Sequence, residues 1–310
     1  MFHSVAHLRN LRTLHWGAEG MTIHVDDILR VLKSCPRLIQ LHLGNVNVVY
    51  VGHDSQNTIN RFHVDPPGPL VPIPDEDVDT LYCGHQLEEL TLDGTEIADE
   101  GLLRLLGIDI EPVHDHNTID SSPALIQLVV NSFGPTHKSG ARILQECRRL
   151  EIIGLRLSRM ATIELFQGDA VWPSAPSIKE LCLDIKVPEL NSSLFHHNHR
   201  VVMEKGFPEF STMEQHQIWS RLQSMVSIRH LKLTGYPIDF AVVDDMSFAK
   251  QLKSASVKFT FRVPIEEMES EKPVLTARAE EWMARNPQGW SYGFDESFLW
   301  AGPKLELIFG

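Results

Sequence analysis

Aliphatic residues along this chain fall repeatedly into one short spacing: an aliphatic, two other residues, an aliphatic, one other residue, an aliphatic. It occurs at Leu38-Leu41-Leu43, Leu87-Leu90-Leu92, Leu125-Leu128-Val130, Leu150-Ile153-Leu155, Ile178-Leu181-Leu183 and Ile228-Leu231-Leu233, and at Leu11-Leu14-Trp16 with Trp in the last place. The step of two between the second and third aliphatic is the strand period, so both point to one face and their neighbours to the other. Helical spacing lies upstream: Asp26 to Lys33 before Leu38, Ala141 to Glu146 before Leu150, and Glu214 to Met225 before Ile228. Pro36, Pro123 and Pro176 stand two residues before the first aliphatic, while Cys35 and Cys147 stand three before it. Each unit therefore reads helix, short turn, strand. The first aliphatics are separated by 27, 49, 38, 25, 28 and 50 residues, near one repeat length or near two, so the long gaps hold a degenerate repeat or an inserted loop.

One such strand cannot bury its apolar face alone, but parallel copies stacked side by side, with helices behind, can. Alternation then turns a second set of residues outward: Thr13 and His15; Gln40 and His42; Glu89, Thr91 and Asp93; Gln127, Val129 and Asn131; Arg156; Glu180, Cys182 and Asp184; His230 and Lys232. This set mixes charges, amides and hydroxyls, with no convergent catalytic group.

Ser34-Cys35-Pro36-Arg37-Leu38-Ile39-Gln40-Leu41-His42-Leu43 resembles the repeat opening of the cysteine-containing leucine-rich repeats of F-box proteins. The run from Leu90 to Leu102 resembles the strand, turn and helix start of the same repeat, and the uneven spacing resembles fungal members. The resemblance covers most of residues 8–260. It implies an α/β fold: a curved leucine-rich-repeat-like solenoid, parallel strands on the concave side and helices on the convex side. Residues 1–310 would form one such domain, with irregular inserts near 50–80, 108–122, 187–213 and 264–303. The implied function is target recognition for an SCF-type cullin ubiquitin ligase, without catalysis, cofactor or metal. The implied partner-binding residues are Gln40, His42, Glu89, Thr91, Asp93, Gln127, Asn131, Arg156, Glu180, Asp184, His230 and Lys232. The sequence departs from the family in lacking an F-box before the repeats, which are under way by Leu8. It reads as a portion of something longer, tied to a ligase only through that missing F-box. Two other readings stand beside this one: a repeat scaffold unrelated to ubiquitin, and a hydrolase using histidine-rich loops.

Composition narrows the partners. The 310 residues carry 28 Lys+Arg against 41 Asp+Glu, a net charge of −13, which repels phosphate backbones and disfavours nucleic acid as a partner. Arg148-Arg149 is too short to override it. Cys35, Cys83, Cys147 and Cys182 are scattered without a CxxC pair, as free thiols of a reducing compartment would be. Met1 to His7 lacks the order of a signal peptide, and no apolar run reaches the roughly 18 residues of a membrane span. The expectation is a soluble intracellular protein, cytoplasmic or nuclear, with no membrane role.

The inserts hold the remaining chemistry. Pro66 to Asp77 is proline-rich and then acidic, and Ile110 to Ser122 is polar; both read as surface loops. His114, Asp115 and His116, and separately His196, His197 and His199, are metal-ligand types, but HEXXH is absent and solvated loop histidines are the favoured reading. Cys83-Gly84-His85 places a thiol near a base without a surrounding signature, and there is no GxSxG, P-loop or GxGxxG after a strand. Toward the C-terminus a helix is expected around Ala277 to Arg285 and a last strand over Leu305 to Phe309. Trp282, Trp290, Tyr292, Phe294, Phe298 and Trp300 read as a hydrophobic cap or, alternatively, a binding patch. Glu89, Asp93, Glu180 and Asp184 are expected to form an acidic strip suited to a basic segment of a protein partner. Because the repeats begin without a polar cap, the first strand is expected to expose an unpaired edge, giving concentration-dependent association in analytical ultracentrifugation. A strictly monomeric chain would contradict that expectation.

Overall fold

A strand with one aliphatic face gains burial only when its neighbours present the same face at the same height. The computed structural model describes residues 8–50, 85–108, 122–131, 137–167, 172–185, 211–234, 252–260, 268–285, 290–295 and 304–309. They form a mixed α/β fold with nine strands in parallel pairing and six helices. The chain divides into two compact units, Met1–Arg149 and Leu150–Gly310.

The first unit runs β1 (Thr13–His24), α1 (Val25–Ser34), β2 (Gln40–Val49), β3 (Glu89–Asp93), β4 (Glu96–Ile97), α2 (Asp99–Leu105), β5 (Gln127–Asn131) and α3 (His137–Glu146). Its strands pair in parallel in the order β1-β2-β3-β5, with β4 against the far end of β2. Leu14, Leu41, Leu90 and Leu128 share one row, and Trp16, Leu43, Leu92 and Val130 the next. Leu41, Leu43, Leu90, Leu92, Leu128 and Val130 are buried, as expected of stacked repeats. Leu14 and Trp16, on the terminal strand of this set, are half-buried.

The second unit runs β6 (Ile152–Leu157), α4 (Arg159–Gln167), β7 (Glu180–Ile185), α5 (Thr212–Ser224), β8 (His230–Thr234), β9 (Ser254–Thr260), α6 (Met268–Arg285), β10 (Trp290–Asp295) and β11 (Lys304–Phe309). Strands β6-β7-β8-β9 are parallel; β11 then joins β9 antiparallel, and β10 joins β11 antiparallel. Leu181, Leu183, Leu231 and Leu233 are buried in matched rows with Ile153 and Leu155.

Backbone geometry repeats as faithfully as the aliphatics. The residue just after the first aliphatic (Arg12, Ile39, Glu88, Glu151, Lys179 and Arg229) offers a carbonyl that accepts two N–H groups from the opening of the next strand, at 2.7–3.1 Å. That shared acceptor fixes where each strand enters the ladder. It also uncovers a unit that the spacing analysis misses: Lys253 and Ser254 donate to Arg229 O, so Leu252, Ala255 and Val257 occupy the same three places. Ala255 escapes a search for large aliphatics.

The turn residues act as their positions suggest. The Cys35 N–H closes α1 on Val31 O at 2.8 Å and the Cys147 N–H closes α3 on Ile143 O at 2.9 Å, with both side chains fully buried. The Gln86 Nε2 lies 2.9–3.2 Å from the carbonyls of Leu32, Cys35 and Leu38, satisfying the end of α1 and the turn after it. Ser122 Oγ donates to Glu146 O, and Ser177 Oγ to Leu150 O. Ser211 and Glu214 form a capping box that starts α5 ahead of the expected Glu214. Two residues beyond Leu43 and Leu92, the last aliphatics of their triplets, Asn45 and Gly94 adopt φ of 54° and 58°, the left-handed region that Asn and Gly tolerate best.

Helices pack against one another within each unit. Arg104 on α2 meets Asp26 on α1 at 3.3 Å and stacks over Tyr50. In the second unit Phe166 packs edge-on against Trp172, which also carries the Arg221 guanidinium. The C-terminal helix is longer than expected, starting at Met268, and buries Trp282 completely; Phe298 and Trp300 lie outside the described residues. So do Cys83, the proline-rich run and both histidine loops. Among the described residues, no helix is long and apolar enough to cross a membrane.

Leu92→Ala should lower unfolding free energy by about 2–5 kcal/mol through lost transfer energy plus a cavity, measured by denaturant titration. Gly94→Ala should cost about 1–3 kcal/mol from left-handed strain, compounded by contact of the new Cβ with Asn45 Oδ1. A Gly94→Ala variant as stable as the parent would remove the turn from the folding argument.

Candidate functional site

The same register that stacks the leucines sorts the outward residues into rows. In the first unit these rows are Thr13, Gln40, Glu89 and Gln127; then His15, His42, Thr91 and Val129; then Gly17, Gly44, Asp93 and Asn131. Thr13 Oγ1 donates to Gln40 Oε1 at 2.6 Å, and the His15 and His42 rings lie 5.2 Å apart at 45°. Asp93 and Asn131 are exposed, while Gln40, Glu89, Thr91 and Gln127 are half-buried. The third row is bare of side chains on two of its four strands.

In the second unit the rows are Ile152, Glu180, His230 and Ser254; then Gly154, Cys182, Lys232 and Ser256; then Arg156, Asp184, Thr234 and Lys258. Arg156 Nε meets Asp184 Oδ2 at 3.5 Å, a half-exposed pair worth about 0–1 kcal/mol. His230 Nδ1 and Ser254 Oγ share a hydrogen bond of 2.6 Å, with the donor set by the imidazole tautomer. Cys182 Sγ lies 4.0 Å from Glu180 Oε1. The expected acidic strip is thus split within its own rows: Asp184 is paired with arginine, and Glu180 stands next to His230 in register. Glu89 and Asp93 have no ion-pair partner among the described residues.

All twelve sequence-predicted partner-binding residues sit on strands at outward register positions. Sequence reading missed Gly17 and Gly44, which matter by having no side chain, and the β9 positions Ser254, Ser256 and Lys258, because Ala255 hid that strand. The legible signal for β9 was Leu252 and Val257 at the recurring spacing.

Chemically, the rows offer hydrogen bonds and charge. The Ser254–His230 bond pairs a hydroxyl with a base, but the Ser254 N–H is committed to Arg229 O at 3.1 Å and is not aimed at a developing oxyanion. His85 spends Nε2 on Gly107 O at 2.8 Å, tying the entry of β3 to the end of α2. Burial holds the Cys147 thiol up at about 12, with help from Glu146, and raises Cys35 as well. Cys182 is raised by burial and by Glu180, against an opposing pull from Lys232.

No family model and no curated protein matches the chain.

Raised thiol pKa values keep these cysteines protonated at neutral pH, and the thiolate is the reactive form. With iodoacetamide on the folded protein, Cys182 should be alkylated before Cys35 and Cys147, faster in Glu180→Gln and slower in Lys232→Ala, as followed by peptide mass spectrometry. Equal rates at all three sites would contradict the burial order.

Proposed function

We propose that this protein is a binding module that recognises another protein with the outward faces of its parallel strands, as the leucine-rich-repeat part of an F-box subunit does in an SCF-type ubiquitin ligase. In that reading the two units are runs of one curved repeat array, strands on the concave side and helices on the convex side. The observation that supports it most is the ordered outward rows: polar side chains held at fixed spacing by a register set in the core. Rigid strands pre-organise such groups, so little conformational entropy is lost when a partner binds. The helix side carries aromatic and cation packing within each unit, which leaves the strand side for recognition. Target choice belongs to these rows; docking to a ligase adaptor belongs, in the resembled family, to the F-box. A repeat scaffold outside ubiquitin chemistry would use the same rows.

Thr91→Tyr with Lys232→Tyr, both outward positions that tolerate a large β-forming residue, should abolish recovery of a specific protein in affinity capture from cell extract. Thermal stability should stay near that of the parent, and Glu100→Lys on the helix side should leave recovery intact. Recovery unaffected by the double variant would overturn the strand-face reading. A recovered protein that carries ubiquitin, dependent on the intact rows, would favour the ligase branch; one that never does would favour the scaffold.

A further inference from the structure

His15 and His42 are direct register partners on the adjacent strands β1 and β2, and their rings lie 5.2 Å apart at 45°. That tilt is neither offset-stacked nor edge-on, the two arrangements in which ring attraction by itself favours a pair. Among the described residues, no hydrogen bond or ion pair occupies either imidazole. His15 is exposed and His42 half-buried, and each neutral ring carries one nitrogen lone pair. On the same two strands the row before holds Thr13 and Gln40, bonded to each other at 2.6 Å, and the row after holds Gly17 and Gly44. Neither row brings a charge to the rings.

The spacing of the rings is the spacing that one tetrahedral metal ion requires. An imidazole nitrogen lies about 1.1 Å from its ring centre and about 2.0–2.1 Å from a bound zinc ion, so each ring centre stands about 3.2 Å from the metal, and at about 109° two such centres are about 5.2 Å apart. At the right angles of a square-planar copper or nickel site the same two centres would be about 4.5 Å apart. The observed 5.2 Å therefore matches tetrahedral coordination. Rotation about the Cβ–Cγ bonds, a soft torsion for histidine, turns a nitrogen of each ring toward the shared point without moving either strand. The strands themselves are held by the register of the buried rows, so the pair is placed before any ion arrives.

We infer that His15 and His42 form a two-imidazole site for a zinc ion on the outward face of the first unit. Thr91 and Val129 continue the row, and among the described residues no group of three or more His, Cys, Asp or Glu is placed to hold a metal. The protein thus supplies two ligands and leaves two positions to water or to a ligand from outside. Four protein ligands mark a structural zinc; open positions mark an ion that meets an outside group. The site does not depend on the strand-face reading, because it needs no partner protein to bind its ion.

The test treats the whole chain with diethyl pyrocarbonate, which attacks an imidazole lone pair, with and without zinc chloride, and follows each histidine by peptide mass spectrometry. A bound zinc ion takes that lone pair and leaves the other ring nitrogen as N–H. Zinc should slow modification of His15 and of His42 at least tenfold, while His216, exposed on α5, should react as before. Magnesium chloride, an oxygen-seeking cation, should protect neither histidine. Because the ion is shared, His42→Gln should abolish zinc protection of His15, and His15→Gln that of His42. Protection of His15 that persists in His42→Gln would mean that each imidazole binds metal separately, which overturns the proposal. No protection in the parent chain would overturn it too, as would equal protection at His216. The comparison within the parent chain stands by itself if either variant does not fold.

Discussion

Everything in this structure depends on register. A carbonyl placed one residue after the first aliphatic takes two N–H groups from the next strand, and that single acceptor decides which residue of the new strand faces which residue of the old. With the entry fixed, Leu41 must meet Leu90, and Leu43 must meet Leu92. A slip of one residue would turn both leucines of a strand to water, losing roughly 1.5–3 kcal/mol for each side chain exposed. The apolar rows and the shared carbonyl therefore enforce each other. The turn residues serve the same end: Cys35 and Cys147 close helices over the core, and Gln86 holds the end of α1 against the strand that follows.

The outward face inherits its order from this buried one. No outward residue chooses its neighbour; Gln40 stands beside Glu89 because Leu41 stands beside Leu90. Polar positions are in this way held at strand spacing on a rigid support, the condition under which polar groups discriminate between partners instead of merely being solvated. The cost of substituting them falls on recognition, while the cost of substituting the leucines falls on folding. The two classes alternate along most strands, while on β6 Ile153, Gly154 and Leu155 are buried in succession.

Charge shows how much such placement matters. Four carboxylates predicted to act together separate once their neighbours are known, because Asp184 lies 3.5 Å from Arg156 and Glu180 has His230 as its register partner. What remains is a smaller feature, two carboxylates beside a pair of glycines.

Read from the sequence alone, the recurring aliphatic spacing was enough to determine the strand positions from Leu38 to Leu233, helical spacing the helices before Leu38, Leu150 and Ile228, and the apolar run from Leu305 the last strand. All of these follow from local periodicity, which one segment carries by itself. The tertiary structure decided what depends on pairing. It placed Ser254 to Thr260 as the next parallel strand although Ala255 weakens its pattern, because neighbouring carbonyls recruit that strand whatever its hydrophobicity. It turned β11 and β10 antiparallel, and it joined Asp184 to Arg156 across 28 residues of chain. A sequence states what each residue prefers to face. Only the folded register states which residue it meets there, since that contact is made between segments whose separation carries no local signal.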